Sequence, residues 1–213
     1  MTDLTDPPAS EAAEPIAPDV EPARESRAAS SLRSGVEWIA VIVGALVVAL
    51  VVKTFLFQAF YIPSESMEPT LEKGDRVLVN KLSYDVHDVN RGDVVVFELN
   101  PEEVGNDGIR DLIKRVIGLP GDTIETRDGA VYIDDRRLDE PYLAEGTVTG
   151  DPAVGSNPSI PRQVVPEGHV FVLGDNRDNS ADSRYPYRGP IPIGDIVGRA
   201  FVLVWPPSDV GSL

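Results

Sequence analysis

The run "GDVVVFEL" at residues 92–99 indicates the fold class, because four β-branched or aromatic residues directly follow a Gly-Asp pair. Such residues favour strands, whereas Gly, Pro, Asp and Asn are typical of the turns that separate strands. Similar runs recur through residues 62–213, namely "RVLVNKLSY" (76–84), "LIKRVIGL" (112–119), "GAVYID" (129–134), "HVFVLGD" (169–175) and "IVGRAFVLVW" (196–205). No amphipathic helix longer than a few turns is evident there, so we predict a mainly β domain.

Two short turns and one long loop are expected within this domain. Asp128-Gly129 precedes "AVYI", and Asp134-Asp135 precedes "RRL", which is the pattern of successive hairpin turns. The stretch from Gly146 to Pro166 is rich in Gly, Pro, Ser and Asn. We therefore predict a surface loop over that stretch.

An apolar run precedes the β domain. Every residue from Trp38 to Val52 is apolar or glycine, and the apolar character resumes after Lys53. A bilayer core requires about 20 such residues, so we predict a transmembrane helix over residues 35–61. A buried core helix and a cleaved signal sequence are the alternatives, but no small-x-small site follows the run, which favours an uncleaved signal-anchor.

The first 34 residues have the composition of a disordered tail, being rich in Pro, Ala and acidic residues without aromatic residues. Transit peptides are poor in acids, so a transit peptide is not favoured. Arg24, Arg27 and Arg33 lie just before the apolar run. By the positive-inside rule we expect a cytoplasmic N-terminus and an extracytoplasmic domain over 62–213, attached to the cell membrane.

The composition excludes several classes of function. The formal net charge of -16 argues against a nucleic-acid partner, because phosphate binding requires a basic face. The chain has no cysteine, which excludes disulfides and thiolate chemistry. Its two histidines, His87 and His169, lack the spacing of a zinc-binding helix.

The segment "IPSESMEPTL" at residues 62–71 holds two hydroxyls, on Ser64 and Ser66, that could serve in catalysis. A serine is a weak nucleophile near neutral pH and requires a base within hydrogen-bonding distance. His87 lies in the polar stretch "DVHDVN", and His169 precedes a predicted strand. Their surroundings favour structural positions for both histidines.

Lys114 is the other candidate base, because Ile, Val and Leu surround it in "LIKRVIGLPGD". Burial disfavours an ammonium group and would lower its pKa, which would allow the amine to accept a proton. A lysine at the edge of a strand could instead extend to water or pair with Asp111. This stretch alone favours the second, structural interpretation.

A third polar stretch, "GDNRDNSADSRY" at residues 174–185, directly follows the apolar run "HVFVL". It is compatible with a hydrated turn containing Asx hydrogen bonds and one or two Asp-Arg pairs. It is equally compatible with a fixed network that orients a catalytic group.

Taken together, "IPSESMEPTL", "RGDVVVF", "IKRVIGLPGD" and "GDNRDNSADSRY" resemble the motifs of bacterial type I signal peptidases, in the same order and behind a single apolar span. The resemblance covers essentially everything after the tail. It implies Ser66 as nucleophile and Lys114 as general base, with Ser64 completing the oxyanion hole beside the Ser66 backbone N–H. Because alternate residues of an extended strand face one side, Ser64 and Ser66 are expected to point together.

The resemblance also implies supporting residues and a substrate. Ser180 matches a serine that orients the lysine amine, and Asp182 and Arg184 match an ion pair that holds their loop. After Tyr185 the sequence departs from the family, since "PYRGPIP" replaces the common tryptophan-glycine. The shallow pockets of the family accept small side chains, and the matching residues here are Phe60, Ile62, Met67, Leu71, Leu112 and Ile113.

The resemblance thus implies a mostly antiparallel β catalytic domain with a smaller β insertion over approximately 120–170. The expected substrates are preprotein signal peptides cut after small-x-small sites, next to a lipid bilayer and without any metal or organic cofactor. A self-cleaving Ser/Lys repressor would carry a soluble DNA-binding module instead of the apolar span. A non-enzymatic anchored β module would not explain Ser64 and Ser66 together with Lys114.

Overall fold

The computed structural model describes residues 25–52, 56–102, 108–150 and 158–213. The chain divides into two compact units between Val47 and Val48. The first unit contains most of helix α1 (Glu25–Val51). The second contains the short helix α2 (Ser83–Val86) and all of the strands in the described ranges.

The strands in chain order are β1 (Phe57–Tyr61), β2 (Arg76–Asn80), β3 (Val94–Glu98), β4 (Asp111–Gly118), β5 (Thr123–Arg127), β6 (Ala130–Ile133), β7 (Arg136–Arg137), β8 (Gln163–Val164), β9 (His169–Leu173), β10 (Ile191–Pro192), β11 (Ile196–Trp205) and β12 (Gly211–Ser212). The larger sheet has the order β1-β2-β11-β3-β4-β9-β10, with β12 paired to β11. The smaller sheet has the order β7-β6-β5-β8. All of the pairs are antiparallel, which confirms the predicted mainly β, antiparallel fold class.

The run that indicated the fold class forms β3, a strand inside the larger sheet that is buried on both faces. Val94 and Val96 pack into one core together with Ile113. Val95 and Phe97 pack into a second core on the other side. Because side chains alternate between the faces of a strand, an uninterrupted apolar run is required where both faces are covered. This burial fixes the register of β3 against β4, which carries Lys114 opposite Val95.

The two predicted hairpin turns join consecutive strands of the smaller sheet. Asp128 and Gly129 have φ values of 48° and 73°, and Asp134 and Asp135 have 49° and 65°. Two-residue hairpin loops of this left-handed type match the twist of the strands, so both turn predictions are confirmed.

The predicted surface loop from Gly146 to Pro166 is wrong in its last part. Residues 151–157 lie outside the described part of the chain, but Gln163 and Val164 form β8. Ile160 and Val165 are buried in the core of the smaller sheet. Isolated apolar residues within a Gly- and Pro-rich stretch are a weak sequence signal, although each one buries substantial apolar area.

The predictions for the N-terminal region require two corrections. Residues 1–24 lie outside the described residues, but α1 begins at Glu25, within the predicted disordered tail. Residues 57–61, predicted as the end of a transmembrane helix, form β1 and pair along their whole length with β2. The aromatic sequence "FQAFY" favours a strand once a partner is available. In the portion of the chain that the structure describes, none of the helices combines the length and apolar character needed to cross a bilayer.

Candidate active site

Ser66 lies in a tight turn that follows β1 and is anchored from below by buried side chains. Met67 and Leu71 are fully buried, and the Leu71 N–H donates to the Met67 carbonyl at 3.0 Å. Ser66 is itself 7% exposed. The nucleophile candidate is therefore held by the core beneath it.

Ser64 and Ser66 are close together, but not for the reason predicted. Their segment is a bend followed by a turn and not an extended strand, so the strand alternation argument is wrong. The Ser64 hydroxyl nevertheless lies 3.3 Å from Ser66 Oγ and is exposed. The bend brings the two hydroxyls to one side of the turn.

Lys114 meets Ser66 inside the molecule. Its Nζ lies 2.7 Å from Ser66 Oγ and 2.8 Å from the Ile113 carbonyl oxygen, and the residue is only 3% exposed. Its strand, β4, lies between β3 and β9 and is not an edge strand. The alternative interpretation, in which this side chain reaches water or pairs with Asp111, is wrong.

Burial lowers the pKa of Lys114 to about 8. The Asp182 carboxylate raises this pKa and the Arg188 guanidinium lowers it. Asp175 also raises the pKa and Arg184 also lowers it, both more weakly. With a pKa near 8, about one molecule in ten carries a neutral amine at pH 7. The amine can therefore accept a proton under ordinary conditions.

The loop of residues 174–185, here called the polar loop, is a buried network. Arg184 donates from Nε and Nη2 to the two carboxylate oxygens of Asp182, both at 2.8 Å. Asp182 Oδ2 also accepts from the Gly174 N–H at 3.1 Å. Because Asp182 and Arg184 are almost fully buried, the interpretation of a hydrated turn is wrong.

Gly174 allows the polar loop to approach the turn that carries Ser66. A Cβ at this position would lie 2.2 Å from Ser180 Oγ and 2.4 Å from the Ser66 carbonyl oxygen. The Asn176 N–H donates to the same carbonyl at 3.1 Å, and Asn176 Nδ2 donates to the Glu65 carbonyl at 3.1 Å. Ser180 is thereby placed next to Ser66, at 4% exposure.

A small cleft of about 50 Å³ lies beside the Ser66–Lys114 pair. Four of the residues predicted to form a pocket line it, namely Phe60, Ile62, Leu112 and Ile113. Ser64, Ser66 and Lys114 form the polar part of its wall. Met67 and Leu71 do not line this cleft and belong to the hydrophobic core below it.

Three buried arginine or aspartate residues near the site were not identified from the sequence. Arg115 follows Lys114 directly and forms a bidentate pair with Asp175, with distances of 2.9 and 2.7 Å. Arg177 is 1% exposed and pairs with Glu140. The density of charge in "GDNRDNSADSRY" was the available signal, but the partners lie far away in sequence.

Metal-ligating side chains do not converge anywhere in the described ranges, where no group of three or more His, Cys, Asp or Glu residues could hold an ion. Three features of the described residues surround Ser66. These are a buried amine with a lowered pKa, a neighbouring hydroxyl and a rigid polar loop.

Comparisons with known proteins agree in pointing to one family. A family model described as signal peptidase, peptidase S26, matches residues 35–205. The signal peptidase I of Leptolyngbya laminosa is 40% identical over 204 residues, which cover 93% of each chain. The probable signal peptidase I-2 of a Synechocystis species is 42% identical over 171 residues, covering 80% of this chain and 73% of the relative.

Among solved structures, a signal peptidase I from Enterococcus faecalis V583 matches with 30% identity and a TM-score of 0.39, covering 53% of this chain and 97% of that chain. The family match and the curated relatives extend over most of the sequence. This chain belongs to the signal peptidase family, peptidase S26, and is a peptidase. That assignment separates it from self-cleaving repressors and from non-enzymatic anchored modules.

Proposed function

We propose that this member of the signal peptidase family cleaves signal peptides from exported preproteins, with Ser66 as nucleophile and Lys114 as general base. The observation that carries the proposal is the 2.7 Å distance between Lys114 Nζ and Ser66 Oγ in a buried setting. That distance permits direct proton transfer, and the lowered pKa of Lys114 supplies a neutral amine.

The reaction then proceeds through an acyl-enzyme. Lys114 takes the hydroxyl proton of Ser66 while Oγ bonds to the scissile carbonyl carbon, and the carbonyl oxygen becomes an oxyanion. Collapse of this intermediate breaks the C–N bond, and Lys114 gives its proton to the leaving amine of the mature protein. A water molecule next loses a proton to Lys114 and attacks the ester carbonyl carbon. Lys114 returns this proton to Ser66 Oγ as the ester C–O bond breaks, and the signal peptide leaves with a new carboxyl group.

Ser64 is the proposed side-chain donor of the oxyanion hole, together with the Ser66 backbone N–H. Ser64 is an exposed residue whose hydroxyl lies 3.3 Å from Ser66 Oγ, close enough to reach an oxyanion formed on the carbonyl that Ser66 attacks. A donor at this position stabilises the negative charge that develops in the transition state.

Ser180, Asp182 and Arg184 are the proposed supporting residues. The Asp182–Arg184 pair holds the polar loop, and the loop presents Ser180 beside Gly174 and Ser66. We assign Ser180 the role of orienting the Lys114 amine toward Ser66 Oγ. In this role the loop acts on the base and not on the substrate.

The cleft beside the dyad is the proposed binding site for the residue before the cut. The cleft is small, at about 50 Å³, and its apolar walls suit a small side chain such as that of Ala or Ser. The register of β9 pairs it with Arg115–Gly118 of β4, so Asp111, Leu112 and Ile113 extend beyond that pairing. An extended signal peptide could add its backbone beside these residues and direct alternate side chains into the cleft.

We also propose that the N-terminal region anchors the enzyme at the cell membrane. The apolar side chains of α1 are widely exposed, with Trp38 at 69% and Leu50 at 62%. With arginines before this run, the tail would be cytoplasmic and residues 62–213 extracytoplasmic, with a smaller β insertion over approximately 120–170.

The proposed activity is tested by incubating the detergent-solubilised full chain with a preprotein and sequencing the new N-terminus. We expect one cut after a small-x-small site, and we expect Ser66→Ala to fold normally but to leave the preprotein intact. Normal cleavage by Ser66→Ala would contradict the assignment of the nucleophile. His169→Gln is a suitable control, because His169 begins β9 away from the Ser66–Lys114 contact and should leave cleavage unchanged.

The anchor and its orientation are tested in spheroplasts. We expect the chain to stay with the membrane after alkaline carbonate extraction, and added protease to digest residues 62–213 but not the tail. Release of the chain by carbonate would contradict the proposed anchor. Digestion of the tail alone would mean that the chain has the opposite orientation.

A further inference from the structure

The geometry points to Glu140 as a positioning residue that sets the polar loop through Arg177, and thereby the surroundings of the catalytic amine. This inference rests on the proposed function of Ser66 and Lys114. Glu140 follows β7 and belongs to the segment between β7 and β8, outside the motifs that the sequence singled out. It is connected to the active site through Arg177 and through Tyr142.

Arg177 is the centre of the polar loop. Its side chain is completely buried and donates from Nε to the Gly174 carbonyl at 3.1 Å. Its own carbonyl accepts from Arg184 Nη2 at 2.8 Å. Arg177 therefore ties the start of the loop, at Gly174, to the Asp182–Arg184 pair at its end.

Two residues outside the polar loop, Glu140 and Thr149, hold the guanidinium of Arg177. It pairs with the Glu140 carboxylate through Nη2 and Nη1, and it donates from Nη1 to Thr149 Oγ1 at 2.5 Å. An arginine remains protonated at any ordinary pH, so a completely buried guanidinium requires a carboxylate. Glu140 supplies that carboxylate, and the position of Arg177 follows from it.

A second connection runs from Glu140 to the strand of the catalytic amine. The Tyr142 hydroxyl donates to Glu140 Oε1 at 2.7 Å, and the Tyr142 ring lies 4.0 Å from Cζ of Arg115. Burial, and the Glu140 carboxylate beside it, raise the pKa of Tyr142, so its hydroxyl remains a donor. Arg115 in turn forms the bidentate pair with Asp175 of the polar loop.

Both connections end beside Lys114. Arg115 is its neighbour in β4, and Asp182, Arg188, Asp175 and Arg184 are the charged groups that act on its amine. The loop that Arg177 organises contains three of these four. If Glu140 no longer holds Arg177, the loop can loosen, water can reach the amine, and the pKa of Lys114 should move back toward its ordinary value.

The test compares Glu140→Gln with the wild type in the preprotein assay, using the full chain in detergent. We expect kcat to fall by about 10- to 100-fold, because displacement of a positioned group by about 1 Å can cost that much. KM should change by less than about threefold, since Glu140 does not line the cleft. The rising limb of the pH–rate profile should move above pH 8, and Glu140→Asp should restore part of kcat.

Glu125→Gln is the matched control. Glu125 lies on β5 of the same insertion and pairs with Arg127 and Arg162, away from the polar loop. Wild-type kinetics are expected for it. An equal loss of kcat in this control would mean that the insertion acts only through its general stability and would overturn the inference.

Tyr142→Phe decides the matter if Glu140→Gln does not fold, because it removes only one hydroxyl and keeps the ring over Arg115. We expect a fall in kcat of about 3- to 10-fold with the same upward shift of the pH profile. If Glu140→Gln folds and keeps the wild-type pH profile, the inference is overturned. If Glu140→Gln does not fold, a wild-type pH profile in Tyr142→Phe overturns the inference instead. Failure of the wild type itself to cleave would instead contradict the proposed function.

Discussion

Replacing Lys114 with Met should make the protein more stable near pH 7 while abolishing cleavage. Burial lowers the pKa of Lys114 from its ordinary value of 10.5 to about 8. At about 1.36 kcal/mol for each pH unit, the buried ammonium costs the folded state about 3 kcal/mol at pH 7. Methionine has a similar shape without the charge, but it loses two hydrogen bonds, to Ser66 and Ile113, worth about 1 kcal/mol each. The net gain at pH 7 is therefore about 1 kcal/mol.

The effect should reverse sign in alkali. Because the folded state binds its proton less tightly than the unfolded state, the stability of the wild type rises with pH between about 8 and 10.5. Above that interval the amine is neutral in both states and its desolvation costs nothing further. Only the two lost hydrogen bonds then remain, so the methionine variant should be about 2 kcal/mol less stable than the wild type.

The assay is urea unfolding of the full chain in nonionic detergent, followed by circular dichroism at pH 7 and at pH 10.5. Lys73→Met is the control, because Lys73 is exposed and its replacement should change stability by less than about 0.5 kcal/mol at either pH. A difference between Lys114→Met and the wild type that is independent of pH would refute the reasoning. Such a result would mean that the amine is solvated in the folded protein.

Three further outcomes are expected from preprotein cleavage assays. Ser64→Ala should lower kcat by about a hundredfold and leave KM nearly unchanged, and a pure rise in KM would assign Ser64 to substrate docking. Gly174→Ala should lower activity and cost about 1–3 kcal/mol in urea unfolding, because its methyl group would collide with Ser180 Oγ and the Ser66 carbonyl; wild-type activity would contradict the close approach. Preproteins with Ala, Gly or Ser before the cut should be processed, whereas Leu or Phe should block cleavage, and efficient cutting after Phe would contradict the assignment of the cleft.

The fold class and the hairpins of the smaller sheet could be predicted from the sequence because they depend on local chemistry. The β-branched run of β3 is buried on both faces, and Asp128-Gly129 and Asp134-Asp135 adopt the left-handed conformations that two-residue turns require. The ends of elements were less predictable. The segment "FQAFY" continues an apolar run, and only its pairing with β2 decides that it is a strand.

The candidate site could be predicted as a set of positions but not as an arrangement. Ser66 and Lys114 are 48 residues apart, and Arg115 and Asp175 are 60 apart. Contacts over such separations depend on the order of strands in the sheet, which places β4 between β3 and β9. A lysine among apolar residues has the same local sequence whether its strand is central or at an edge. The residues next to Lys114 in the sequence could therefore not predict that its side chain is buried.

The charges around Lys114 explain why burial is the main cause of its lowered pKa. Asp182 and Asp175 raise the pKa, Arg188 and Arg184 lower it, and desolvation is the largest of all the effects. Two carboxylates and two guanidiniums of opposite effect leave the exclusion of water as the dominant cause. The ion pairs of the polar loop thus keep charged groups close to the amine without cancelling the lowering of its pKa. A loop of neutral residues could exclude water equally well, but it would lack bidentate ion pairs. Such pairs, for example Arg184 with Asp182, hold a loop more firmly than neutral hydrogen bonds do.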